Sequence, residues 1–139
     1  MALPSHPANV PGDFYVEDGC CTMCDVPRSE APDLFASWPN AESPEHCYVK
    51  RQPQNAANFE RMFEVIRCAE LQCIHYRGTN RQFQMRLIEI GEGLACDNLP
   101  PELRERAEAM DRDNQRRYMK ARMGDTWLDR MRAWWRGRA

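Results

Sequence analysis

The stretch FYVEDGCCTMCDVPRSEAPDLF, residues 14–35, decides how this chain is read. Phe14, Tyr15 and Val16 form a short aromatic and β-branched run, which predicts a strand. Asp18-Gly19 ends it as a turn. The cysteine-dense segment that follows is closed by Pro27 and reads as a loop. Ser29 to Phe35 then predicts a short helix, with Ser29 as cap and Pro32 in the first turn. Before this stretch, Pro4, Pro7 and Pro11 make residues 1–12 an extended arm. After it, SWPNAESPEH (37–46) is turn-rich, and Cys47 to Arg51 alternate as a strand that Pro53 stops.

From Asn55 the period changes. Phe59, Met62, Phe63 and Ile66 recur at helical spacing and predict an amphipathic helix to about Glu70. Cys73 to Tyr76 read as another short strand, closed by Gly78. A second helix begins at Asn80, with Phe83, Leu87, Ile90 and Leu94 on one stripe. Asp97-Asn98-Leu99-Pro100-Pro101 breaks the pattern and sets the expected boundary between a body, 13–96, and a helical C-terminal extension, 97–139. Within the extension, Gly124 is expected to stop one helix and Asp125 to cap the next.

The chain has 139 residues and a net charge of −2, which excludes a bulk polycation or polyanion. The charge is unevenly spread: residues 1–99 hold 8 basic against 14 acidic side chains, and residues 100–139 hold 11 against 7. No apolar run approaches the roughly 20 residues of a membrane helix. The N-terminus has no positive region followed by an apolar stretch, so a cytoplasmic location without membrane contact is expected. Seven cysteines are many for such a chain, and in that compartment an odd number of them is expected to stay mostly reduced. There is no Gly-rich phosphate loop, no HExxH and no trustworthy Ser-His-Asp order, so no enzyme is expected. Arg77-Gly78-Thr79-Asn80 reads as a strand-to-helix turn rather than an anion nest.

Cys21 and Cys24 are spaced so that two thiolates can converge on one metal or one cluster corner from a loop. Cys20 adjoins them, and Cys73 opens a later strand. The order strand, cysteine loop, short helix, strand pair, longer helix, strand beginning with a cysteine resembles the small bacterial-type single-cluster ferredoxins. The segments NVPGDFYVEDGCCTMCDVPRSEAPDLF, CYVKRQP and LQCIHY carry that resemblance, over about residues 9–78. It implies an α+β, ferredoxin-like body and a small iron–sulfur protein passing single electrons. Cys21, Cys24 and Cys73 would be ligands and Cys20 a fourth. Two positions depart from the family: Pro27 replaces its third cysteine, and Ile74 replaces the proline after its last. A four-iron cluster normally takes four thiolates. Three thiolates fit a three-iron cluster, or Cys20 or Cys96 completes the set, or the fold persists without a cluster. In that last case the protein works by binding another protein, as an accessory subunit or a toxin-neutralising partner. An acidic body suits docking on a basic redox partner.

Zinc ranks below iron here, with Cys21, Cys24, Cys73 and His75 as its set. His46 reads as a turn residue, and Cys47 and Cys68 as buried packing. At the C-terminus, Trp127, Leu128, Met131, Trp134 and Trp135 share one helix face among Arg130, Arg132, Arg136 and Arg138. The face is expected to be buried, either folded back on the body or against a protein partner through Trp127, Met131, Trp134 and Trp135. The acidic residues interleaved through 102–129 argue against nucleic acid as that partner.

Overall fold

The structure, a computed structural model, describes residues 3–39, 44–123 and 127–137. It is a mixed α and β chain. Among the described residues, two small antiparallel two-stranded sheets and five α-helices are present. The elements follow in the order β1 (Phe14–Val16), α1 (Val26–Glu30), β2 (Phe35–Pro39), β3 (Pro44–Val49), α2 (Ala56–Cys68), β4 (Ile74–Tyr76), α3 (Arg81–Glu89), a 3₁₀ turn (Gly93–Ala95), α4 (Pro101–Met123) and α5 (Trp127–Arg136).

β1 and β4 pair with Phe14 opposite Tyr76, Tyr15 opposite His75 and Val16 opposite Ile74. β2 and β3 form the second ladder, with Phe35 opposite Val49 and Ser37 opposite Cys47. The N-terminal arm joins the two sheets. The Asn9 side-chain oxygen accepts the Val16 and Val49 amides at 3.2 and 2.9 Å, while its amide group donates to the Val16 carbonyl at 2.9 Å. Val10 adds a backbone bond to the Val49 carbonyl. An asparagine is suited to this place because it both donates and accepts at one short reach.

α2 buries Met62, Phe63, Val65 and Ile66 and is capped by Asn55, whose side chain accepts the Asn58 amide at 2.9 Å. α3 starts at the Asn80 cap and buries Leu87 and Ile88. These side chains meet Phe14, Val16, Leu34, Phe35, Val49, Ile74 and Tyr76 in one core. Leu103 and Ala107 belong to it too, so the first turns of α4 complete the body before the helix runs on into solvent.

Four features differ from the sequence expectation, the first being that β3 spans Pro44–Val49, earlier than the expected Cys47 to Arg51. α1 begins at Val26 rather than near Ser29, because Pro27 occupies its first turn, where a missing N–H is harmless. Phe35 opens β2 instead of closing a helix. The α3 pattern stops at Glu89, and Gly91, at φ 84°, turns the chain into the separate 3₁₀ turn. The expected stop at Gly124 and cap at Asp125 lie outside the described residues. None of the helices described is long and apolar enough to cross a membrane.

Candidate metal centre

The cysteine loop is wound tightly. Gly19 has φ 77°, and two non-glycine residues, Met23 at 59° and Asp25 at 63°, also take the left-handed conformation. Each of the latter costs of order 1 kcal/mol against the ordinary regions, a cost that persists only where the surroundings hold the loop. Asp25 is the N-terminal cap residue of α1, and its carboxylate is held by the Arg28 guanidinium, Nε to Oδ1 2.7 Å. The winding folds the loop over the edge of the β2–β3 ladder.

Cys21 receives the hydrogen bonds of that contact. Its Sγ accepts the Met23 amide at 3.4 Å from within the loop and the Cys47 amide at 3.3 Å from β3. β3 also brings His46. The Gly19 amide can only donate, and it meets His46 Nε2 at 3.0 Å, so Nε2 is the acceptor nitrogen. Nδ1 then carries the proton and donates to the Cys47 carbonyl at 2.7 Å. The ring is backed by His6, stacked at 4.4 Å between centroids. Burial, and after it His46, hold the His6 imidazole below its usual pKa.

Donor atoms of Cys21, His46 and Cys47 all lie within 4.8 Å of one another. Beside them is a cavity of about 130 Å³, whose lining includes Cys24, Pro27, Arg28 and Ser37. Burial pushes the Cys47 thiol up from its ordinary pKa, and the adjoining Cys21 pushes it further. As a free group Cys47 is therefore a protonated thiol at neutral pH. A bound cation reverses that preference, since metal ligation takes the thiolate.

The sequence-predicted ligands divide into two groups. Cys21 and Cys24 face the same cavity. Cys20 and Cys73 are joined to each other by a disulfide with Cα atoms 5.6 Å apart, so as the structure stands neither offers a free thiolate. That bond is one disulfide in a chain whose cysteines are expected to stay mostly reduced. Five cysteines remain free: Cys21, Cys24, Cys47, Cys68 and Cys96. Cys96 is packed in the core, where burial lifts its thiol to about 12. His75 is directed elsewhere as well. Its Nε2 is 3.0 Å from Glu17, its Nδ1 has no hydrogen-bond partner, and Tyr15 stacks on the ring. Cys68, expected to be buried, is exposed with its thiol 3.4 Å from Glu64.

Sequence reasoning passed over His46 and Cys47. His46 reads in the sequence as a turn residue and Cys47 as buried packing, and adjacent strand residues point to opposite faces. The His46 ring overcomes this by folding along the strand onto the carbonyl of its neighbour. The adjacent His-Cys pair, downstream of a CxxC, was the signal available.

The C-terminal face is exposed. Trp127, Met131, Trp134 and Trp135 are 64, 41, 51 and 63% accessible, and no residue of α5 is buried. The fold-back expected of this helix is not seen among the described residues. No family model, no curated protein and no solved structure matches this chain.

Proposed function

We propose that this chain is a small metal–thiolate protein on a ferredoxin-like frame, which works docked to a protein partner through its C-terminal helices. One observation carries the reading: the Cys21 sulfur accepts two amides while Cys47 and His46 bring further donors to the same place. A loop containing two non-glycine left-handed residues is costly unless something gains from its shape. A bound cation is such a gain.

The element order supports the ferredoxin-like frame, since strand, cysteine loop, short helix, strand pair, long helix and strand occur in the sequence the resemblance implies. The iron–sulfur cluster fits less well. Cys20 and Cys73 are bonded together, leaving Cys21, Cys24 and Cys47 as the free thiols around the cavity. A cluster places a separate iron under each thiolate and so spreads the sulfurs, whereas the donors of Cys21, His46 and Cys47 are gathered at the spacing of one ion. The single-electron carrier therefore stands as the reading to be tested by colour. A metal-free protein-binding role is the second reading, and the exposed tryptophan face favours it.

The test is metal and sulfide analysis with a visible spectrum on anaerobically purified full-length protein. About one metal ion per chain, lost in Cys21→Ser, supports the proposal. Iron with sulfide and a broad visible band returns the electron carrier. Metal-free protein that still binds its partner leaves the second reading.

A further inference from the structure

We infer that the centre takes a single zinc ion, held tetrahedrally by Cys21, Cys24, Cys47 and His46. The inference rests on the metal–thiolate reading above and specifies its ion and its ligands. A tetrahedral site with metal–sulfur bonds of about 2.3 Å has sulfurs about 3.8 Å apart. Donors of Cys21, His46 and Cys47 within 4.8 Å of one another need to close by less than an ångström or so to reach that spacing. Three thiolates and one imidazole form a standard structural zinc complement, and soft sulfur with imidazole selects against calcium and magnesium.

Cys24 supplies the fourth donor. It stands three residues after Cys21, between the left-handed Met23 and Asp25, and it lines the same cavity. Its sulfur lies outside the close trio, so metal binding draws it inward and tightens residues 22–25. His46 is already in the form a ligand needs. Its Nδ1 proton is committed to the Cys47 carbonyl, which leaves the Nε2 lone pair for the metal. The Gly19 amide now on Nε2 must give way. A residue with no side chain, at a turn where a Cβ would meet nothing within 4 Å, can do so.

The charge and proton count close. Three thiols lose three protons to solvent as zinc enters, and the resulting centre carries one net negative charge. Arg28 lines the cavity, paired with the Asp25 carboxylate beside it. No electron is transferred. With all four positions filled by protein, the ion is structural: it staples the loop to the hairpin edge.

The test uses metal-stripped full-length protein kept free of oxygen with the Cys20–Cys73 bond intact, titrated with Co²⁺ alone, then with Zn²⁺. The expected result is one equivalent of Co²⁺ with the visible bands of a tetrahedral site and near-ultraviolet sulfur-to-cobalt charge transfer, both abolished by Zn²⁺. Cys24→Ser and His46→Asn each weaken Co²⁺ binding at least ~10-fold with the circular dichroism of the fold retained, and Cys68→Ser does not. Affinity falls as pH falls, because protons compete for the three sulfurs. Wild-type affinity in both Cys24→Ser and His46→Asn overturns the ligand set while leaving a metal–thiolate site standing. Several irons with sulfide in the native protein overturn the single ion. Failure to bind any metal overturns this inference together with the reading beneath it.

Discussion

Cys96 is a buried thiol and Cys47 a half-buried one, and burial gives each a reason to keep its proton. For Cys96 the folded pKa is about 12 against an ordinary value of 9.0. A raised folded pKa means that the unfolded chain releases its proton first. The contribution to stability is then complete below about pH 9 and is lost as pH rises toward 12. Metal-free protein is accordingly expected to lose stability progressively above pH 9 in urea titrations, and Cys96→Ala is expected to flatten that decline. A second expectation concerns thiol number. Alkylation after denaturation without reductant should label five of the seven cysteines, because Cys20 and Cys73 are paired. Labelling of all seven would show that pair reduced. At this scale the sequence was partly legible. A CxxC spacing is local and announces itself, so the sequence singles out Cys21 and Cys24, which line one cavity. His46 and Cys47 join them only through a loop-to-hairpin contact, for which the adjacent His-Cys pair is the one local sign and the tertiary contact itself is not encoded locally.

Asn55 shows how a single element is set by its first residue. Its side chain satisfies one of the free amides at the start of α2, and Asn55→Ala is expected to cost about 1 kcal/mol in chemical unfolding. Packing sets the junction between α3 and α4. A Cβ on Gly93 would lie 2.7 Å from the Ala107 Cβ and 2.7 Å from Ile88 Cγ1, both buried among the core residues. Gly93→Ala is therefore expected to destabilise by roughly 1–3 kcal/mol, read from the urea midpoint. The Cys20–Cys73 bond acts across elements, tying the start of the cysteine loop to the residue before β4 over 53 positions of sequence. Chain entropy alone assigns it about 4 kcal/mol, so Cys73→Ser should lower the midpoint more than Gly93→Ala does. Helix α2 was readable because Phe59, Met62, Phe63 and Ile66 repeat at its period, and the observed Ala56–Cys68 lies within the expected span. Helix α1 was misplaced because a proline in a first turn and a proline past a last turn look alike in sequence. Here Pro27 is the first and Pro32 the second.

At the scale of the whole molecule, an acidic body ends in a basic helix whose aromatic face is exposed. No residue of α5 is buried, so a chain ending at Met123 is expected to keep its melting temperature within about 2 °C and to lose partner binding. A large fall in melting temperature would instead mean that the tryptophans pack on the body. Helix α4 opens at Pro101, the last residue of the Asp97-Asn98-Leu99-Pro100-Pro101 break that the sequence shows. What the break concealed is that Leu103 and Ala107 return to the core, a tertiary contact that composition does not report. The most direct test of the account is the metal content of full-length protein purified without oxygen, taken with its visible absorption. The account predicts one zinc per chain, no sulfide and no colour. A brown protein holding three or four irons with equal sulfide would contradict it.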